Sequence, residues 1–154
     1  MEILLYQPQI PQNTGNIVRT CSVTATALTL VKPLGFSVAS RHLKRAGLDY
    51  WDEVNINYID DIAEYLNASS RPFYFFSSKV TRPYTHIPFT QEDILVFGSE
   101  TSGLPSVLFD LFPEKFYTIP MQTGARCLNL STSAAIVLYD GLRHLDFCYA
   151  TQQR

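Results

Sequence analysis

Three stretches of this chain pair side chains able to contact a ligand with backbone able to come close to one. The first is Ile10-Pro11-Gln12-Asn13-Thr14-Gly15-Asn16-Ile17-Val18-Arg19. The second is Leu95-Val96-Phe97-Gly98-Ser99-Glu100-Thr101-Ser102-Gly103-Leu104-Pro105. The third runs from Ile119-Pro120-Met121 through Gly124-Ala125-Arg126-Cys127-Leu128 to Asn129-Leu130-Ser131. Glycines at 98 and 103 let main chain approach a bound molecule, and Pro105 suits a helix start. Without the Lys-Ser/Thr pair of a P-loop, and with no GxGxxG in the chain, these glycines do not mark a triphosphate or dinucleotide site. In the third stretch Ile119, Met121 and Leu128 combine apolar walls with main-chain donors and acceptors, a combination that suits a flat ring such as adenine. An ordinary turn into a buried helix reads equally from those residues alone, and Glu100 reads either as a loop cap or as a catalyst.

The elements that must position these residues follow from periodicity. Short apolar runs near 2–6, 27–31, 54–58, 72–76, 93–97 and 116–119 read as strands. Helical patterns fall near 15–25, 40–46, 60–67, 105–111 and 129–146. Their alternation predicts an α/β domain with a largely parallel sheet, one domain over 1–154. In the first helix the Asn13–Asn16 cluster supplies capping residues. Ile17, Val18, Cys21 and Ala25 share its inward face, with Arg19 roughly opposite. Arg19 is then either a solvated arginine or one held near a ligand or a partner subunit. The last helix carries two apolar stripes, Leu128, Ala135, Leu138, Leu142 and Leu145 on one side and Leu130, Ala134, Val137, Gly141 and Cys148 on another. Two apolar faces need two surfaces to pack against, and a second copy of the chain would provide one. Burial within one subunit is the alternative.

Composition narrows the class. With 46% hydrophobic and 17% charged residues, the chain has the make-up of a soluble globular protein. No apolar run approaches the roughly 20 residues that cross a bilayer. The start, Met1 to Tyr6, reads as a buried strand rather than a signal peptide, so a cytoplasmic protein with no membrane partner is expected. Three scattered cysteines suggest neither a disulfide framework nor a zinc site, and no bound metal is expected. The net charge of −2 does not advertise a nucleic-acid partner, so RNA binding would need a local basic patch.

Taken together, the three stretches resemble the motifs of the SPOUT methyltransferases. Within that class they are most similar to the small single-domain enzymes that methylate the wobble ribose of tRNA. Lys44-Arg45-Ala46-Gly47-Leu48-Asp49-Tyr50-Trp51 looks like the signature of that subgroup, and the resemblance runs from Tyr6 to about His144. Two departures stand out: many relatives carry Arg at the position of Ser102 and Ser at that of Cys127. The first removes one possible RNA contact; the second matters little if the cofactor is held there by backbone.

The resemblance implies a parallel α/β sheet whose C-terminal part forms a deep trefoil knot, in a homodimer. It implies S-adenosylmethionine as methyl donor, leaving as S-adenosylhomocysteine, with Phe76, Gly98, Ile119, Met121, Cys127 and Leu128 as cofactor contacts. Arg19, with Asn13 beside it, would be central to catalysis. An arginine is a poor base, its pKa exceeding about 12, and is better suited to clamp a phosphate and position the 2′-hydroxyl. Arg41, Lys44 and Arg45 could contact the RNA backbone, or simply form a solvated helix face. Val137, Tyr139 and Gly141 would lie at the dimer interface. The substrate implied is the anticodon stem-loop of a tRNA, with leucine tRNAs the usual target and cytidine or uridine at the wobble position. Two alternatives stand beside this: a SPOUT enzyme for another tRNA or rRNA ribose, and a knotted RNA- or nucleotide-binding module without turnover.

Overall fold

Residues 1–37, 51 and 53–148 are described by the structure, a computed structural model. The predicted helix near 40–46, the basic residues Arg41, Lys44 and Arg45, and most of the 44–51 signature lie outside them. Six strands form one sheet: β1 (Glu2–Tyr6), β2 (Ala27–Val31), β3 (Ile56–Ile59), β4 (Phe73–Phe76), β5 (Ile94–Phe97) and β6 (Phe116–Tyr117). Four α-helices accompany them among the described residues: α1 (Pro11–Thr24), α2 (Ile62–Ala68), α3 (Ser106–Leu111) and α4 (Leu130–His144).

The strand order is β3-β2-β1-β5-β4-β6, every pairing parallel. Parallel strands covered on both faces read as continuous apolar runs, and the central ones do. Ile3, Leu4 and Leu5 in β1, and Ile94, Leu95 and Val96 in β5, are fully buried. Alternate residues feed two cores. Ile3, Leu5, Leu95 and Phe97 meet Ile17, Val18 and Cys21 of α1 and Ala134, Val137 and Leu138 of α4. Leu4, Ile94, Val96 and Phe75 meet Leu66 of α2 and Leu108 of α3 on the other face. Each of the leucines, isoleucines, valines and phenylalanines among them contributes about 1.5–3 kcal/mol by leaving water.

Helix α1 starts earlier than its polar cluster suggests. Pro11 occupies the first turn, where its preset φ suits a helix and its missing N–H costs nothing, and Ile10 is the N-cap. Asn13 and Thr14 are therefore buried inside the first turn instead of capping it. At the far end Ala25 adopts a left-handed conformation, φ 52°, and is exposed, so it leaves the inward face expected of it. Helices α2 and α4 do carry side-chain caps. Asp61 accepts from Glu64 N at 3.0 Å, and Asn129 accepts from Ser131 N at 2.8 Å.

The second apolar stripe of α4 is corrected by the structure. Leu130, Ala134, Val137 and Gly141 are buried within the subunit itself, Val137 completely. A Cβ on Gly141 would stand 2.6 Å from Met1 Cε and 3.0 Å from Phe89 Cδ1. Helix α1, the start of the chain and the 87–89 segment supply the second surface, so the alternative of burial within one subunit holds for this stripe. Val137 and Gly141 consequently have no face to offer a partner. Thr132, Tyr139 and Arg143 form the exposed side of α4 instead.

The chain around β6 is enclosed on both sides. Phe75 and Phe76 of β4 pair with Phe116 and Tyr117. Beyond the strand, Thr118 N donates to Arg82 O at 2.8 Å and Tyr84 N donates to Thr118 O at 2.9 Å. Residues 82–84 of the β4–β5 connection thus cover the chain as it leaves the sheet, before it returns to α4 beside α1.

Candidate active site

β1 has β2 on one side and β5 on the other, so the connections leaving β1 and β5 diverge and open a crevice at their carboxyl ends. A cavity of about 520 Å³ occupies that crevice. Its walls come from the ends of β4 and β5, the loops after β5 and β6, and the starts of α1 and α4. All six residues expected at a cofactor site line it, Phe76, Gly98, Ile119, Met121, Cys127 and Leu128, and so does Asn13.

Local physics explains each placement. Phe76 and Phe97 are register partners on adjacent strands and stack at 4.8 Å, forming an apolar floor. After β5 the chain reverses through Ser99–Gly103, whose main chains bond each other in both directions at 3.0 and 3.1 Å. Gly103 takes φ +69° to make that turn. The turn folds so tightly on Gly98 that a Cβ there would stand 2.3 Å from Gly103 C. Only glycine fits. Between Ile119 and Leu128, main-chain hydrogen bonding among the described residues is confined to the Gln122–Ala125 turn, at 3.1 Å. The main-chain groups of Met121, Cys127 and Leu128 are therefore open to a ligand. Met121 and Leu128 are 38% and 39% exposed, unusual for apolar side chains beside a cavity and suited to a wall that a ligand would cover.

Polar side chains tie the walls together. The Glu100 carboxylate accepts from Gln9 N at 2.8 Å, Ile10 N at 3.1 Å and Asn13 Nδ2 at 2.9 Å. Asn13 Oδ1 in turn accepts from Asn129 Nδ2 at 2.8 Å. Glu100 thus links the loop after β1 to the loop after β5, the contact expected of a loop cap. Asn13 is 5% exposed and retains one N–H and one lone pair for a ligand. The Cys127 thiol lies 3.4 Å from Ser78 Oγ and the Ser102 hydroxyl 2.6 Å from Ser99 Oγ, each oriented by a local partner.

Arg19 is not among the residues brought together. It is exposed on the outer face of α1 and does not line the cavity of its own chain. Ile10 and Leu104, inside the first two stretches, also line it, whereas Ser77, Ser78, Lys79 and Ser133 lie outside all three. For Ser77–Lys79 a signal existed, since they directly follow a parallel strand, where ligands of such sheets collect. Among the described residues no group of three or more His, Cys, Asp and Glu side chains is placed to hold a metal ion. No helix among them is long and apolar enough to cross a membrane.

An open parallel sheet with its cavity at the strand switch point, walled by a glycine turn and an unpaired loop, defines an α/β protein whose cavity is of a size for a small organic molecule. The particular family follows from comparison: the chain belongs to the SpoU rRNA Methylase family, whose profile matches residues 1–139. It is 45% identical over 151 residues to a tRNA (cytidine(34)-2′-O)-methyltransferase of Methylovorus glucosotrophus, covering 97% of this chain and 98% of that one. A protein of the same name from Yersinia pestis is 38% identical over 154 residues, covering 96% and 95%. Among solved structures, one described as giving structural insights into the 2-OH methylation of C/U34 on tRNA superposes with a TM-score of 0.85. The two chains are 38% identical over 94% of this chain and 95% of that one.

Proposed function

We propose that this protein methylates the ribose 2′-hydroxyl of the wobble nucleotide, cytidine or uridine 34, in the anticodon loop of tRNA, with S-adenosylmethionine as donor. The observation that carries the reading is the single cavity that Phe76, Gly98, Ile119, Met121, Cys127 and Leu128 line together with Asn13. Relatives named for this activity at 38–45% identity over nearly the whole chain support it.

The residues present fit such a donor. Phe76, Ile119 and Leu128 offer apolar walls, Gly98 lets the 99–103 turn fold tightly at the cavity edge, and the open main chain around 121 and 127–128 can bond a purine edge. When bound, S-adenosylmethionine supplies an electrophilic methyl group on a sulfonium and leaves as S-adenosylhomocysteine. The protein's part is alignment, which is worth a large share of the barrier for a displacement of this kind. Asn13, clamped between Glu100 and Asn129, presents its remaining donor and acceptor where a ribose hydroxyl would be oriented. Methyl transfer needs no covalent enzyme intermediate, so none of the cysteines has to act as nucleophile.

The finer parts of the reading concern assembly and substrate. A homodimer formed across the outer faces of α1 and α4, with Tyr139 near its centre, would bring Arg19 of one subunit to the cavity of the other. There the permanently charged guanidinium would clamp a phosphate and hold the hydroxyl in line. Arg41, Lys44 and Arg45 would extend the phosphate contacts. The enclosure of Thr118 by residues 82–84 supports a chain threaded as a trefoil knot within the one domain. Leucine tRNAs are the proposed substrates and the cytoplasm the proposed location. Radiolabelled methyl transfer to bulk tRNA, followed by nuclease mapping, tests the function. Label at the 2′-oxygen of nucleotide 34 is expected; label elsewhere, or none, overturns it.

A further inference from the structure

A second concavity, of about 700 Å³, opens where the carboxyl ends of β1, β2 and β3 meet, lined by Gln7, Lys32, Leu34, Phe36, Tyr58 and Asp60. We propose that it holds a nucleobase of the RNA strand, one next to the nucleotide whose ribose is methylated. The inference rests on the reading above that the substrate is RNA.

Its chemistry matches a base better than other ligands. Phe36 and Tyr58 offer aromatic surface, and Tyr58 is 39% exposed although it lies in a strand. Unstacked bases are recognised by such rings, with polar groups reading their edges. Gln7 supplies a carboxamide and Asp60 a carboxylate acceptor at the rim. Lys32 and Asp60 pair at 2.9 Å, so the two charges offset each other and the cavity does not select a free anion. A neutral flat ring with donors and acceptors on its edge remains the best match.

Its position links it to the first cavity. Gln7 lines one and Ile10 the other, and three residues of extended chain span at most about 11 Å. The strip between them is fastened from both sides. Gly35 N donates to Pro8 O at 2.9 Å, and a Cβ on Gly35 would stand 2.7 Å from Gln9 Cα. From the opposite side Glu100 holds the amides of Gln9 and Ile10. A rigid partition of this width separates two cavities by a spacing that consecutive nucleotides can bridge.

The test is a cycle between protein and RNA changes, using single-turnover methylation of an anticodon stem-loop at several RNA concentrations. Tyr58→Leu keeps an apolar side chain and removes the ring; Phe36→Leu does the same if that variant fails to fold. On the RNA side, an abasic nucleotide replaces the base on either side of nucleotide 34. With intact RNA, Tyr58→Leu is expected to weaken RNA affinity about tenfold, within the range for one lost base–aromatic stack. Its saturating rate and S-adenosylmethionine affinity should stay near wild type. One abasic substitution should weaken wild-type binding by a similar factor yet barely affect Tyr58→Leu. Equal abasic penalties in both proteins overturn the cavity while leaving the methyltransferase reading intact. No methyl transfer by the wild-type protein overturns that reading, and the base-binding role with it.

Discussion

The Asn13 carboxamide donates to Glu100 Oε1 across 2.9 Å, joining the first helix to a loop 87 positions later. Glu100 also takes both amides of the strip Gln9–Ile10, so one carboxylate sets the distance between the two walls of the cavity. Asn13 passes the constraint on to Asn129, the N-cap of α4. Its own carboxamide is thus fixed from two sides before any ligand arrives.

Glu100→Gln should disturb this clasp, because the amide nitrogen of glutamine would face N–H donors and cannot accept from them. Hydrogen bonds to a charged group contribute about 1.5–3 kcal/mol each, and the group is partly exposed, so a loss near the lower figure is expected. Urea denaturation gives the stability. Methylation should fall more than stability explains, since Asn13 loses its anchor. Wild-type values on both measures would show that the walls are spaced by something else.

Arg19→Ala should leave folding within about 0.5 kcal/mol, as for an ordinary exposed position. Methyl transfer should drop on the order of a hundredfold, the scale of one charge-stabilising donor. Arg19→Lys should also be impaired, because a point charge does not replace a planar fork. Mixing Arg19→Ala with Asn13→Ala subunits then tests where Arg19 acts. If it serves the partner's cavity, random mixed dimers should regain about a quarter of wild-type sites. Activity that stays lost after mixing would place Arg19 in its own subunit's chemistry.

Val137→Glu and Tyr139→Glu should behave in opposite ways. Val137 is fully buried in the subunit core, so a carboxylate there costs several kcal/mol and lowers the melting temperature sharply. Tyr139 is 43% exposed, and its replacement should keep the fold while shifting light scattering from dimer to monomer. A folded monomer from Val137→Glu, or an unchanged dimer from Tyr139→Glu, would relocate the interface.

Cys21 lies in the core beneath α1, and burial pushes its thiol up to about 12 from an ordinary 9.0. Its folded value lies above its unfolded one, so its contribution is fully present below about pH 9. That contribution is lost progressively as pH rises from about 9 to 12, on the order of 4 kcal/mol in total. Cys21→Ala should therefore show a shallower fall in stability over this window by urea denaturation. In the native protein Cys127 and Cys148, both exposed, should react with a thiol reagent well before Cys21. Equal alkaline slopes in the two proteins would remove Cys21 as the cause.

Much of the architecture was legible in the residues themselves. Runs such as Ile3-Leu4-Leu5 and Ile94-Leu95-Val96 have to be buried on both faces, and alternation with helical patterns left a parallel sheet as the natural arrangement. Motif resemblance carried the six cavity residues, because local backbone chemistry, a glycine turn and an unpaired loop, is written in consecutive positions. Tertiary structure alone decided three other matters. Whether Leu130, Ala134 and Val137 face a second molecule or the rest of the chain depends on what lies across from them, and periodicity carries no record of that. Asn13 looked like a cap, but Pro11 started the helix two residues earlier and turned its side chain toward a carboxylate 87 positions away. Arg19 and Asn13 are six residues apart on one helix, which rotates them to different sides. A single chain can therefore bring Asn13 to its cavity while Arg19 stays on the exposed face of the same helix.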